Sequence, residues 1–366
     1  MKKRFETLDS FRGLAALFVV IHHMHYVGSI TELNFFKHSF WFVEFFFVLS
    51  GFVLAHGYAW KQNLKFKNYF IARTFRIFPL HLFILCVYIL FELIKLFAYK
   101  SGLHINAVPF SNNNAISEII PNALLLQSWL PHASHISFNA PSWSISVEYY
   151  MYMIFFVTLL LKKNMKYITW LLISVSMFIL LIMDRDLAEL IVRGLSCFFA
   201  GVLTYLIYIN IEQKVPENVE YWTLLEIMLL SLVSYLISSD FIYKSLVISL
   251  LFCMVVLVFA FEKGLISSLL KQKVFLYLGK LSYSIYMIHA FIVFNVLWFF
   301  IIIDRYVDIK LTPVLHNIPY VDFGSPLYNN IFIVVILGII VFISGFTYRF
   351  IEKKGQQLGK KYKDFI

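Results

Sequence analysis

Cysteine is scarce in this chain, three in 366 residues, and charge is scarcer than in soluble proteins: Asp, Glu, Lys and Arg together make 14%. Cys86, Cys197 and Cys253 lie inside apolar runs with no metal-like spacing. They read as small core hydrophobes, so no disulfide framework and no metal site is expected. The shortage of charge excludes more. Soluble domains carry about 25% charged residues, and without them a chain of this length cannot cover itself with water-facing side chains. Hydrophobic residues fill the gap at 60%, including 40 Phe and 22 Tyr. A bilayer accepts that surface. The composition predicts an all-α polytopic membrane protein, one transmembrane domain over residues 1–366, with no appended extracytoplasmic domain.

Apolar runs of about 20 residues number ten. They cover roughly 11–29, 40–59, 77–98, 141–161, 166–183, 188–209, 221–238, 241–261, 282–303 and 331–350. An even count puts both termini on one side. Acidic residues are in deficit too, 21 against 31 Lys and Arg, for a net charge of +10. The basic residues sit in short loops, a pattern that sets topology and attracts anionic lipid rather than nucleic acid. With the termini in the cytoplasm, 21 of the 31 fall in cytoplasmic segments and six, including Arg185, on the opposite face. That bias predicts cytoplasmic termini. Two outer loops, 99–140 and 304–330, exceed a simple turn. The Leu124-Leu125-Leu126 patch with Trp129 is too short to span and reads as interfacial or re-entrant.

Ionisable residues inside spans mark function by default, because an unpaired charge there costs several kcal/mol. Span one opens with Asp9-Ser10-Phe11-Arg12-Gly13, where Asp9 or Ser10 can cap the helix. Arg12 and His23 are eleven residues apart, so they share a face about 16.5 Å apart, Arg12 at the cytoplasmic interface and His23 near the midplane. His22 points about 100° away. Glu44 sits in the aromatic second span and needs a partner, for which a buried His is the obvious type. Arg73 and Arg76, one turn apart before Pro79, read either as positive-inside anchors or as a fork for phosphate. In Ser142-Trp143-Ser144-Ile145-Ser146-Val147-Glu148, the carboxylate can orient an imidazole or act as a base. Ser282, Tyr286 and His289 stack along one face of span nine.

These motifs together resemble the membrane acyltransferase-3 family, multi-span enzymes that O-acylate glycans and some small molecules. The matching elements are Leu8-Asp9-x-x-Arg12-Gly13, the Arg12/His23 spacing and Phe45-Phe46-Phe47-Val48-Leu49-Ser50-Gly51-Phe52. They continue with Arg73-x-x-Arg76, Ser142-Trp143-Ser144 leading to Glu148, and Leu281-Ser282-Tyr283-Ser284-Ile285-Tyr286 ending at His289. Tyr348-Arg349-Phe350-Ile351-Glu352 matches the family's close, so the likeness runs nearly end to end. The resemblance implies an acyl group, usually acetyl, taken from cytoplasmic acyl-CoA as donor substrate, with no permanently bound cofactor. It makes His23 the acyl-transfer residue with Arg12 beside it, and puts Arg73 and Arg76 on the CoA phosphates. The bacterial cytoplasmic (inner) membrane is the implied location.

The mechanism this reading supports has His23 acting as general base on an acceptor hydroxyl or taking the acyl group itself. Glu148 or Glu44 orients its other nitrogen, and Tyr286 or Ser144 stabilises the oxyanion. A surface glycan such as capsule or O-antigen is the leading acceptor, with Trp129, Phe138 and Trp143 as sugar-stacking candidates. A secondary transporter is the rival, since buried His, Glu and Arg also build proton relays.

Overall fold

The computed structural model describes residues 3–102, 108–183, 189–306 and 310–364. Lys2 and Arg185, both in the orientation count, lie outside the described residues, as do short stretches of the two long loops. The described chain is helical almost throughout. Its elements are α1 (Glu6–His22), α2 (Asn34–Lys37), α3 (Phe42–Tyr58), α4 (Phe66–Lys100), α5 (Ile119–Ala123), α6 (Ser142–Leu159) and α7 (Lys163–Ile182). They continue as α8 (Glu189–Ile211), α9 (Val219–Ser238), α10 (Lys244–Phe261), α11 (Leu265–Leu270), α12 (Lys273–Ile303), α13 (Pro326–Thr347) and α14 (Lys353–Asp364). A two-residue antiparallel pair, Val314–Leu315 with Ile318–Pro319, tightens the loop before α13.

Among the described residues, eight helices are long and apolar enough to cross a membrane, against the ten runs of the sequence. The two that fall short are α1 and α6. Span one was placed at 11–29, but α1 begins at Glu6 and stops at His22, 17 residues in all. After it the chain turns back, and Tyr26 bridges Val321 beside α13. Helix α6 has 18 residues, and its first two turns carry Ser142, Ser144, Ser146 and Glu148. Elsewhere polar helix extends past the apolar run. Helix α4 starts at Phe66, so Arg73 and Arg76 lie inside it. Helix α12 starts at Lys273, nine residues before the predicted span.

Two crossings set the frame. Helices α1 and α12 run parallel and touch backbone to backbone: a Cβ on Gly13 would stand 2.5 Å from the Leu278 carbonyl carbon, and one on Gly279 2.2 Å from the Asp9 oxygen. Helices α3 and α8 do the same at Gly51 and Gly201, where a Cβ would come within 1.9 Å of the Phe198 and Val48 oxygens respectively. Small residues at such crossings permit the close packing that association in lipid depends on. Aromatic rings fill the space around them, with Phe45, Phe47, Phe52, Phe198, Phe199 and Phe252 fully buried.

Helix α4 contains Pro79, which denies the Phe75 carbonyl its helical donor. Helix α14 packs over that point, where a Cβ on Gly355 would meet the Pro79 ring at 2.5 Å and the Phe75 oxygen at 3.2 Å. A π-helical turn, Tyr348–Glu352, joins α13 to α14 and turns Glu352 inward. The predicted re-entrant segment folds onto α6: Leu125 is fully buried with φ +57°, and its carbonyl accepts from Ser146 Oγ at 2.6 Å.

Candidate active site

A cavity of about 900 Å³, open to the outside, lies between α1, α3, α4, α6 and α12, with Glu352 of the π-helical turn among its lining. Arg12, Arg76 and Lys280 supply its positive charge, and Glu148 and Glu352 its negative charge. Ser50, Ser144, Tyr152 and Tyr286 add hydroxyls, and Val43, Phe46, Phe47 and Leu54 form an apolar wall. A long donor with an anionic end and an apolar arm suits that division.

Each charged group is held differently. Arg12 donates through Nε to Ser282 Oγ at 2.8 Å and through a terminal nitrogen to the Gly279 carbonyl at 3.0 Å. Those acceptors are on α12, so the close crossing at Gly13 and Gly279 sets the guanidinium's position. Asp9 lies 3.6 Å from Arg12 and takes a 2.8 Å bond from Arg4. Neither Asp9 nor Ser10 caps α1: the helix begins earlier, after Phe5, and Ser10 Oγ donates to the Leu270 carbonyl at 2.6 Å. Glu148 accepts from Ser50 Oγ at 2.5 Å and from the Tyr152 hydroxyl. Glu352, nearly buried, accepts from Ser284 Oγ at 3.0 Å and from Gln356 at 3.2 Å. Arg76 makes no hydrogen bond or ion pair among the described residues, although Glu148 and Glu352 lie within reach of its field.

From this cavity a polar line leads to a pair of histidines. The hydroxyls of Ser144 and Tyr286 are 2.8 Å apart, and the Tyr286 ring lies 5.7 Å from that of His289. His289 bonds through Nδ1 to the Tyr286 carbonyl at 2.7 Å. A carbonyl only accepts, so Nδ1 carries the proton and Nε2 of the neutral ring is a free acceptor; Nε2 is buried with no partner. The His23 ring sits 5.1 Å from His289 and 5.0 Å from His22. His23 caps the C-terminal end of α1, its amide bonded to the Val19 and Val20 carbonyls. The expectation that Arg12 and His23 share a face holds: α12 receives both, Arg12 at Ser282 and His23 at His289.

Three expectations are corrected. Neither Glu148 nor Glu44 orients His23. Glu148 is engaged by Ser50 and Tyr152, and Glu44 is fully occupied on the far side of α3. It accepts from Ser245 Oγ at 2.7 Å and Ser249 Oγ at 2.5 Å, with Arg193 Nε 3.5 Å away. Arg193 is held over the Trp41 ring and also pairs with Glu189, so Glu44 belongs to a structural ion cluster. Second, the two arginines of α4 part company: Arg76 lines the cavity, while Arg73 donates to the Tyr58 hydroxyl at 3.1 Å and lies over the Tyr58 and Tyr152 rings. Third, the outer aromatics divide: Phe138 is packed away, while Trp129 and Trp143 are half-buried. Trp143 abuts Phe47, and Trp129 donates to the Ser146 carbonyl at 3.1 Å.

Sequence reasoning missed Ser50, Tyr152, Lys280 and Glu352 as lining residues. Tyr152 had a signal, since it stands one helical turn from Glu148 on the same face. Glu352 had only its place in the closing Tyr348-Arg349-Phe350-Ile351-Glu352 motif, which gave it no role.

The comparisons with known proteins bear on the family. The profile of the acyltransferase-3 family, described as an acyltransferase domain, matches residues 5–350. The chain belongs to this family of acyltransferases. It is 36% identical over 117 residues to the acyltransferase MdmB of Streptomyces mycarofaciens, covering 31% of this chain and 26% of the relative. It is 35% identical over 99 residues to Protein 2 in the picA locus of Rhizobium radiobacter, covering 24% of this chain and 50% of the relative. The chain thus spans about a quarter and a half of those two relatives. The ORF330 protein of Acidianus two-tailed virus, provisionally named an acetyltransferase, is 25% identical over 304 residues, covering 79% of this chain and 84% of the relative. No solved structure matches.

Proposed function

We propose that this acyltransferase is a multi-pass membrane enzyme that moves an acyl group, most simply acetyl, from cytoplasmic acyl-CoA to a hydroxyl of a surface glycan or its lipid-linked precursor. The observation that carries the reading is the unpaired Arg76 guanidinium in a cavity whose polar line ends at His23 and His289. Arg76 makes no direct contact with a carboxylate, so its donors are open to a phosphate in a planar, bidentate contact.

The reaction follows from the order of groups. Phosphates pair with Arg76 and Arg12, and the pantetheine arm runs along Phe46 and Phe47 toward Tyr286. His23 takes the proton of the acceptor hydroxyl as its oxygen attacks the thioester carbonyl. The C–S bond breaks, and the thiolate leaves as free CoA with the proton that His23 took. The Ser144 and Tyr286 hydroxyls donate to the oxyanion that forms in between. His289, ring to ring with both Tyr286 and His23, links the acid and base sides of this path. The termini and the arginine end face the cytoplasm of a bacterial cell, and the loops 99–140 and 304–330 face the acceptor. Acyl-CoA is a substrate here; no resident cofactor, metal or nucleic acid enters the scheme.

The test is purified protein in sealed, inverted vesicles, given labelled acetyl-CoA outside and acceptor glycan inside. Label on the enclosed glycan without acetyl-CoA in the lumen is the expected result. Intact acetyl-CoA accumulating inside, with no transfer, would replace the enzyme by a transporter.

A further inference from the structure

A second cavity, of about 810 Å³, opens where the α3–α4 loop meets the α6–α7 corner, and nothing in the reaction scheme uses it. It lies on the side of the N-terminus: His56, two residues before Tyr58 on α3, has its Nε2 2.9 Å from the Lys3 carbonyl. The lining falls into two parts. Phe156 is buried and Leu64 and Leu159 half-buried, which makes an apolar floor. Trp60, Lys61 and Lys163 are exposed beside it. Charge here is of one sign. Segments 61–67 and 162–166 hold six lysines, with no Asp or Glu between Glu44 and Glu92 or between Glu148 and Asp184.

The two helices that start at this corner do so without a counter-charge. Helix α7 follows Lys162 and has Lys163 and Lys166 in its first turn, and α4 follows Lys65 with Lys67 in its own. Neither has a side-chain cap or an acid in that turn. A helix N-terminus is positive and favours an anion, so these lysines add to the charge that an acid would offset. Lys166 sharpens the point. It is only 9% exposed, yet its Nζ makes one hydrogen bond, to the Ala59 carbonyl at 2.6 Å, within a ring of Trp60, Tyr167 and Trp170 at 5.6–5.8 Å. An ammonium has three donors, and no carboxylate takes the other two among the described residues.

We propose that this cavity binds one anionic phospholipid from the leaflet on the side of the termini, its phosphate among Lys61, Lys163 and Lys166. Lysines bind phosphate as point charges, and basic pockets between helix ends take charged headgroups. Trp60 stands where an indole belongs, between headgroups and acyl chains. The apolar floor separates a lipid from a free phosphate. It runs from Phe156 and Leu159 to exposed Val157, Leu160 and Ile168, an outward apolar strip for the acyl chains. The site is independent of the acyl donor and acceptor.

The experiment is native mass spectrometry of the full-length protein in detergent, titrated with dioleoyl phosphatidylglycerol or dioleoyl phosphatidylcholine. One phosphatidylglycerol is expected to bind ahead of any phosphatidylcholine; equal binding of the two lipids by wild type sinks the site. Lys61→Ala/Lys163→Ala should weaken phosphatidylglycerol binding about thirtyfold, the share of two lysines at a membrane surface, and leave phosphatidylcholine unchanged. Lys360→Ala/Lys361→Ala removes the same charge from exposed positions on α14 and should bind like wild type. An equal loss in both variants would make the preference a matter of overall charge and overturn the site. Glycerophosphoglycerol, the same headgroup without acyl chains, should not compete at equal concentration. Full competition by it would make this a soluble-phosphate pocket and overturn the lipid. Lys61 and Lys163 are exposed, so the variant should melt like wild type in phosphatidylcholine. If the double variant melts lower, Lys61→Ala and Lys163→Ala singly carry the test, at about fivefold each.

Discussion

The imidazoles of His23 and His289 lie 5.1 Å apart on two parallel helices whose backbones touch at Gly13 and Gly279. Their spacing is therefore a property of the α1–α12 crossing and not of a flexible loop. Arg12, which lines the cavity, is fixed by the same contact through Ser282 and Gly279.

His23→Ala is expected to lower transfer by about 10²–10⁴-fold, the usual weight of a general base, while the protein stays folded. His289→Ala should cost less but more than His22→Ala, because His289 alone bonds to the Tyr286 carbonyl. Rates at matched expression, with thermal unfolding in detergent as the fold control, decide the ranking. Wild-type transfer by the His23 variant ends the assignment.

Arg76→Ala should weaken acyl-CoA binding by about 1.5–3 kcal/mol, the range for a hydrogen bond to a charged group. Arg76→Lys should restore only part, since Lys lacks the planar fork. Arg76→Ala should cost little fold stability beyond the field it lends Glu148 and Glu352, because it loses no direct hydrogen bond or ion pair. Direct binding of CoA to the detergent-purified variants measures this, and unchanged affinity would return Arg76 to the role of a topology anchor.

Glu44→Ala should act on stability instead. It strands Arg193 without its buried carboxylate, at about 3 kcal/mol, the low end for breaking a buried pair. The folded fraction should keep wild-type kcat and KM. A kcat that falls with stability intact would bring Glu44 back into the chemistry.

Gly201→Leu is expected to destabilise by about 3 kcal/mol or more, since a Cβ alone would overlap the Val48 carbonyl and no side-chain rotation relieves it. Gly338→Leu, at a position with nothing within 4 Å of the added carbon, is the control and should melt like wild type. Equal melting of the two variants would remove the α3–α8 contact from the account.

What the sequence makes legible follows from chain-local physics. The 3.6-residue repeat places Arg12 and His23 on one face, and places Ser282, Tyr286 and His289 on another. The structure sets those two faces against each other. Apolar length locates most helices within a few residues, yet it misplaces α1, because the 11–29 run includes chain that turns back after His22. It also shortens α4 and α12, whose first turns are helical but basic. Long-range partners are not local. Glu44 and Glu148 look alike as lone carboxylates in apolar helices, and only the packing of α8 and α10 around Glu44 separates a scaffold ion pair from a cavity group. Glu352 was hidden for the same reason, since its neighbours Ser284 and Arg76 come from α12 and α4.

The paired glycines of α3 and α8 have a mechanical consequence. Backbones locked at Gly51 and Gly201 make those two helices one stiff beam, so the wall of the cavity bearing Ser50 and Phe47 cannot swing. The opposite wall is built otherwise, with α4 one rung short at Pro79 and resting on the slim shoulder of Gly355. Arg76 stands one turn before that missing rung, so the cavity's stiff wall faces its least bonded stretch of helix.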